Sequence, residues 1–340
     1  MQFNEIKRSI SVLLRYKCMN KLYISSSCDP YHNLSIEEYL FDTNKSDTIL
    51  FLWQNDNTVV IGKHQNLFRE VNISEASKDQ VKLSRRTTGG GAVYHDLGNL
   101  NYSIIVPSEE KNICKQMQII TDALKQLNIN ASVSGRNDIL VKNRKFSGNA
   151  FRDSRRNHLH HGTIMVQTDF DRLSKYLTPS KIKLSTKGFS SVRSRVINLS
   201  DLSPSLSIDS LSYQLRNSYE NLYGKCTLLD NSLLDYKAIK KLEIKNSSYE
   251  WIYGNTPAYN MQIETNLSFG EISVILNIDK KGIIETAEIY TDAMNVGFFD
   301  DLKRSLPGMK LNMESIKETF ETYYDPEAEE IEKWFNEILS

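Results

Sequence analysis

Cysteine is scarce in this chain. Four occur in 340 residues, Cys18, Cys28, Cys114 and Cys226. They lie far apart and form no CxxC pair, which argues against a structural zinc or a disulfide framework and suits a reducing compartment. An excess of charge of one sign is also missing. The 42 Lys+Arg balance 42 Asp+Glu, so a broad nucleic-acid or membrane footprint is not expected, although a local basic pocket stays open. Apolar runs stop well short of the roughly 18 residues that a membrane span needs. No GxxxxGK[ST] is found, so there is no Walker loop, and no GxGxxG follows a first strand. HExxH and the Gly-x-Ser-x-Gly elbow are absent as well, which leaves a zinc peptidase or a serine hydrolase poorly supported. There is no internal repeat and no low-complexity tract.

What is present begins with residues 85–99, Arg-Arg-Thr-Thr-Gly-Gly-Gly-Ala-Val-Tyr-His-Asp-Leu-Gly-Asn. Three successive glycines let the backbone turn where a side chain would clash and expose N–H groups to an anion. The two arginines before them can pair with phosphate or carboxylate. Strand-like alternation follows, so the run reads as a cradle for a charged group at a sheet edge rather than as a connector. Ser134-Gly135-Arg136-Asn137-Asp138 has two readings. Asn137 could bond an adenine edge or a ribose and Asp138 could hold Mg²⁺ on phosphate oxygens, or the stretch is a polar turn before a strand. Lys145 opens Lys-Phe-Ser-Gly-Asn-Ala. A period of two puts Lys145, Ser147 and Asn149 on one face, where the lysine either reaches an anion or is merely solvated. Among His158, His160 and His161, the last two face opposite sides of a strand, so at most one enters a site. Arg193 and Arg195 either contact a ligand or partner or solvate a loop.

Length favours one large and one small domain. Residues 1–18 carry Phe3, Ile6, Ile10, Leu13 and Leu14 at helical spacing, with Lys7, Arg8, Arg15 and Lys17 and only one acid, Glu5. This is the pattern of a mitochondrial presequence, or of an N-terminal helix packed on the domain. A strand is expected at Lys21–Ser25 and a helix at Leu34–Phe41 capped by Asn33. A hairpin is expected from Thr48–Trp53 and Thr58–Gly62 across Asn55-Asp56-Asn57. An amphipathic helix over Lys111–Leu127, short strands to residue 167, a mainly helical 170–240 and a three-stranded meander from Gln262 to Tyr290 complete the pattern, with helices after it. The mixed order predicts α+β with a large mixed, mostly antiparallel sheet and a small C-terminal α+β domain. The large domain is expected over 19–250 and the small one over 251–340.

Taken together, these segments resemble the lipoate–protein ligase A family, whose fold is biotin/lipoate ligase-like. The resemblance rests on Asp29–Glu38, Arg85–Asn99, Ser134–Asp138, Lys145–Arg152, His160–Thr163, Lys187–Arg195 and Ser247–Ala258, in that order. It implies ATP-dependent activation of lipoate to lipoyl-AMP and transfer to a lysine of an acceptor. The implied acceptors are apo-lipoyl domains of 2-oxoacid dehydrogenase E2 proteins and the glycine cleavage H protein. ATP, Mg²⁺ and lipoate are the implied cofactors and substrate. Lys145 is the implied catalytic residue, contacting carboxylate or acyl-phosphate oxygens in both steps, with Arg86 adding charge. Gly90 and Gly91 allow close approach, Val93 and Tyr94 flank the adenine, and His161 lines the lipoyl tunnel. Thr88, His95, Asn99 and Ala150 join that binding set, while Asn137, Asp138 and Lys145 face ATP and Asp138 the metal. Thr87-Thr88 stands where some members have serines, so a hydroxyl is kept. With the segment before Met19, the resemblance implies a mitochondrial matrix enzyme, otherwise a cytoplasmic one. The alternatives are an amidotransferase that uses preformed lipoyl-AMP or a lipoylated donor protein, and a non-catalytic lipoyl- or nucleotide-binding module.

Overall fold

The computed structural model describes residues 19–135, 137–178, 195–253, 261–279 and 282–339. The presequence-like segment, Arg136 and the Lys187–Ser194 part of the Lys187–Arg195 motif lie outside these residues. The N-terminal part begins with strand β1 (Asn20–Ile24), helix α1 (Pro30–Thr43), β2 (Thr48–Trp53) and β3 (Thr58–Ile61). Short helices α2 (Leu67–Glu70) and α3 (Ile73–Lys78) lead to β4 (Lys82–Arg85), β5 (Val93–His95) and β6 (Asn99–Pro107). Then come α4 (Ile113–Lys125), β7 (Ser132–Ser134), β8 (Asp138–Val141), β9 (Arg144–Asp153) and β10 (Asn157–Met165). After α5 (Phe170–Tyr176) follow α6 (Ile208–Tyr223), β11 (Cys226–Leu228), α7 (Tyr236–Asn246) and α8 (Tyr249–Tyr253).

Eight strands form one sheet in the order β11-β1-β2-β6-β10-β9-β8-β7. Only the β11–β1 and β1–β2 pairs are parallel, so the mixed, mostly antiparallel sheet expected from the sequence is present. Helices cover both of its faces, which explains the unbroken apolar run of β2. Leu50 and Leu52 pack with Met117 and Ile120 of α4 and Leu211 and Leu215 of α6. Ile49, Phe51 and Trp53 pack with Leu34 and Phe41 of α1 and Ile239 of α7. Each such side chain removed from water contributes about 1.5–3 kcal/mol. Among the described residues no helix is long and apolar enough to cross a membrane.

Two local expectations fail for physical reasons. Helix α1 starts one turn before Asn33, because Asp29 caps the N–H groups of Tyr31 and His32 and Pro30 takes the first position. Asn33 is instead buried within the helix, donating to Ser27 O, Gln54 O and Asn55 Oδ1. The β2–β3 hairpin does not form. The polar residues between the strands are spent on other segments, with Asn55 on Asn33 and Asp56 N–H on Cys28 O. Strand β3 therefore leaves the large sheet and lies between β4 and β5 in a three-stranded one.

The C-terminal part is the expected meander, β12 (Met261–Leu267), β13 (Gly270–Ile278) and β14 (Ile284–Thr291), with both pairings antiparallel. Helices α9 (Val296–Ser305), α10 (Met313–Phe320) and α11 (Pro326–Leu339) follow it. Phe299, Ile316, Ile331 and Phe335 close a separate core on Val274 and Ile289. Helix α8, at the expected domain boundary, packs on the N-terminal part through Trp251, whose Nε1 donates to Arg85 O at 2.9 Å.

Candidate active site

The glycine run leaves β4 and passes close to other backbone. A Cβ on Gly62 would meet Gly90 O at 2.2 Å, and one on Gly89 would meet Ala293 O of the C-terminal part at 2.0 Å. Gly90 has φ +89°, in the region that favours glycine. Its N–H donates to Ala293 O at 3.3 Å, so that donor faces the small domain rather than an open anion site. Arg86 binds the loop to itself. Its Nε donates to Thr88 Oγ1 and Gly89 O, Nη2 to Gly89 O and Gly91 O, and Nη1 to Val60 O. Burial lowers the Arg86 pKa to about 10, which leaves it charged near neutrality. Read from the sequence as charge for a ligand, Arg86 is a brace whose donors go to the Gly89 and Gly91 carbonyls and the Thr88 hydroxyl of the loop and to Val60 O of β3.

From Arg86 a buried chain of hydrogen bonds runs to helix α1. Thr88 Oγ1 lies 2.8 Å from His161 Nε2, and His161 Nδ1 lies 2.7 Å from Glu37 Oε1. Ser103 Oγ donates to the same carboxylate oxygen and in turn accepts from Trp53 Nε1 at 3.0 Å. Burial pushes the Glu37 pKa up. His161 and the bonds from His161 and Ser103 outweigh that and hold it below its ordinary value. Hydroxyl, imidazole and carboxylate stand in the order of a nucleophilic triad. The Thr88 hydroxyl is fully buried and already accepts from Arg86, so this triad fixes the loop rather than attacking a substrate.

The opposite wall comes from β8 and β9. Asp138 pairs with Gly148 and Ile139 with Ser147, but Leu140 pairs with Lys145. The extra residue, Phe146, makes a bulge and enters the core. The period-two expectation for Lys145, Ser147 and Asn149 is therefore wrong by one step. Lys145 shares its face with Gly148 and Ala150, all three lining the cavity, and its Nζ lies 2.7 Å from Asp138 Oδ1. The segment after residue 194 holds this strand end, with Ile197 N–H donating to Lys145 O and Arg144 donating to Val196 O.

One cavity thus collects Arg86, Gly90, Gly91, Val93, His95, Asn137, Lys145, Ala150 and His161. Thr88 stands directly behind His161. Burial lowers the His95 pKa to about 3, with Arg86 and His161 adding to it, so the ring is neutral. Tyr94 is not brought in. Its neighbours Val93 and His95 line the cavity, so alternation turns its ring away, onto Tyr176. Asn99 is also set back, with its Nδ2 donating to Asn101 Oδ1 while Asn101 lines the cavity. Reading the sequence missed Leu34, Trp53, Val60, Thr163 and Met294, which also line it, and Glu37 behind it. Glu37 carried a signal, as a carboxylate on the apolar face of a helix. Met294 carried none, because only the packing of the small domain brings it within 3.2 Å of a Cβ position on Gly90.

The model of the lipoyl protein ligase A/B catalytic domain matches residues 29–220, and that of the bacterial lipoate protein ligase C-terminus matches 256–335. A lipoate-protein ligase A from Bdellovibrio bacteriovorus is 38% identical over 92% of this chain and 97% of its own. One from Blochmanniella pennsylvanica is 36% identical over 95% of this chain and 100% of its own. Among solved structures, P. falciparum LipL1 in complex with lipoate superimposes with a TM-score of 0.84 at 30% identity, covering 94% of this chain and 99% of that one. A lipoate-protein ligase A bound with ATP gives 0.61 at 26% identity, over 69% and 99%. With both of its parts matched and relatives at this identity over nearly its whole length, the chain belongs to the lipoate–protein ligase A family and is an enzyme, a ligase.

Proposed function

We propose that this ligase activates lipoate with ATP and passes the lipoyl group to apo-lipoyl domains of 2-oxoacid dehydrogenase E2 proteins and to the glycine cleavage H protein. In the first step a lipoate carboxylate oxygen attacks the α-phosphorus of ATP, and pyrophosphate leaves. In the second the ε-amine of the acceptor lysine attacks the acyl carbon, an amide forms and AMP leaves. The observation that carries this reading is the position of Lys145. Its ammonium stands in a cavity with Leu34, Trp53, Val60 and Ala150 as apolar lining and with Asn137 beside it. An apolar acyl chain ending in a carboxylate fits that contrast, and a fixed cation steadies the charge that builds on the acyl-phosphate oxygens. The relatives solved with lipoate and with ATP support both ligands. A bi-partite Thermoplasma acidophilum ligase described with its E2 lipoyl domain, at 26% identity and a TM-score of 0.63, supports the acceptor class.

In this reading Gly91 admits the acyl-phosphate, since nothing lies within 4 Å of a Cβ there. His161, held by Glu37, closes the acyl side. Asp138 is the carboxylate for Mg²⁺. Its donor chemistry fits, because Mg²⁺ takes one or two carboxylates and completes its shell with phosphate oxygens and water. When bound, the ion neutralises phosphate charge. The basic amphipathic pattern of residues 1–18 supports import into the mitochondrial matrix, which an import assay of the full chain tests.

The decisive experiment supplies purified protein with lipoate, ATP and an apo-lipoyl domain. Lipoylated domain and pyrophosphate are expected. If only synthetic lipoyl-AMP supports transfer, ATP activation is refuted and the chain is an amidotransferase.

A further inference from the structure

A polar cluster runs inward from the cavity wall, starting at Asn149, which lines the cavity together with Asn137 and Gly162. Asn149 is 4% exposed. Its side-chain Nδ2 donates to Asn137 O at 3.0 Å and its backbone N–H donates to the same oxygen at 2.9 Å. Asn137 Nδ2 donates back to Asn149 O at 3.2 Å. On its other side the Asn149 amide oxygen accepts from Tyr102 OH and from His160 Nε2, the latter at 2.9 Å. Burial drives the His160 pKa far below its ordinary value. The ring is therefore neutral, with its proton on Nε2, and Nδ1 stands without a hydrogen bond. These two donors set the orientation of the Asn149 amide and aim its NH₂ at Asn137. Space for the arrangement comes from Gly162, where a Cβ would lie 2.6 Å from both Asn149 Oδ1 and Tyr102 OH. The glycine of the His-His-Gly-Thr motif and the histidine that faces away from the cavity thus serve one amide.

We infer that Asn149 is a positioning residue for the nucleotide, holding Asn137, and with it the adjoining Asp138, at the height where they face ATP. This rests on the reading of Asn137 and Asp138 as the nucleotide side of the site. Asn149→Asp separates the two halves of the cluster. The carboxylate still accepts from Tyr102 and His160, but it replaces the side-chain donor to Asn137 O with a negative oxygen and leaves that carbonyl the backbone N–H alone. The expected result is a KM for ATP raised about tenfold, with kcat within threefold and the KM for lipoate unchanged. Loss of packing alone would lower the active fraction and Tm without that selectivity. Asn137→Ala serves as reference and is expected to raise the KM for ATP at least as far. If Asn137→Ala raises it and Asn149→Asp does not, the inference on Asn149 is overturned. If neither moves it, the nucleotide reading of Asn137 has failed and the inference falls with it. Should Asn149→Asp not fold, Tyr102→Phe takes its place. It removes one of the two donors that orient the amide, and a two- to threefold rise in the KM for ATP is expected. An unchanged value there overturns the inference.

Discussion

Replacing Glu37 by Gln tests the buried chain that supports the glycine loop. The carboxylate is 1% exposed and takes hydrogen bonds from His161 Nδ1 and Ser103 Oγ. The amide keeps the shape and can accept both bonds through its oxygen, but without charge. A charged hydrogen bond is stronger than a neutral one by about 1 kcal/mol, and stranding a buried NH₂ group adds about 1–3 kcal/mol. The variant is therefore expected to lose about 3–5 kcal/mol at pH 7. The sign of the pH dependence follows from the lowered pKa of Glu37. A carboxylate whose folded pKa lies below its unfolded value stabilises fully above the latter, about 4.3 for Glu. That contribution drains as pH falls through the folded pKa. Gln has nothing to drain, so the gap between wild type and variant narrows below about pH 4. Urea unfolding of both proteins between pH 3 and 8, with matched m-values, measures the gap. A loss under 1 kcal/mol at pH 7, or a gap independent of pH, would refute the assignment of a charged Glu37 as the anchor of His161.

Three further outcomes follow from the same geometry. Lys145→Ala abolishes lipoylation while circular dichroism and Tm stay near wild type, since the side chain and its pair with Asp138 are partly exposed at the open side of the cavity; near-normal turnover would remove Lys145 from the reaction. Gly90→Ala costs about 1–2 kcal/mol, because φ is +89° and the new Cβ would lie 2.9 Å from Arg86 Nη2; unfolding midpoints unchanged from wild type would contradict it. Arg85→Met strips donors from Trp251 O, Ile252 O, Gly62 O, Lys63 O and Gln65 O and is expected to destabilise by about 3–5 kcal/mol, with faster hydrogen exchange at residues 62–65 and 249–253. Exchange at wild-type rates in both segments would show that Arg85 does not tie them together.

Much of the architecture was legible because it depends on local signals. The apolar face of α4, at Met117, Ile120, Ala123 and Leu124, is buried as its spacing predicts, and the alternation in β12–β14 gives the meander. What stayed hidden depends on partners distant in sequence. Asn55-Asp56-Asn57 carries every mark of a hairpin turn. Whether β3 folds back on β2 or joins β4 depends on Asn33 and Cys28, which capture those polar groups. The bulge at Phe146 is of the same kind. Nothing in Lys-Phe-Ser-Gly announces it, yet it decides on which face Lys145 emerges. Tyr94 and Asn99 show the limit of carrying over a whole motif, since alternation within β5 turns Tyr94 away from the wall, while Asn99, on the same face of β6 as Asn101, spends its amide on that neighbour short of the cavity.

The adjacent arginines show how one signal divides in space. Arg85 and Arg86 leave β4 on opposite sides, one toward α8 and the turn after β3, the other into the glycine loop. Both guanidiniums end mainly on carbonyl oxygens, Arg86 adding the Thr88 hydroxyl, and burial lowers both pKa values to about 10. Carbonyl dipoles satisfy the N–H donors without cancelling a unit charge, and Arg86 makes no ion pair among the described residues. Its positive potential therefore persists in the cavity, strengthened where water is excluded. Glu37, the carboxylate close enough to feel it, is itself engaged by His161 and Ser103. In the proposed reaction an incoming carboxylate or phosphate would meet a fixed field from Arg86, which cannot reorient, and a direct partner in Lys145, which can exchange Asp138 for the ligand. That division matches what acyl-adenylate chemistry asks of a site: a constant field that lowers the energy of two converging anions, and one adaptable cation that follows the charge from carboxylate to acyl phosphate.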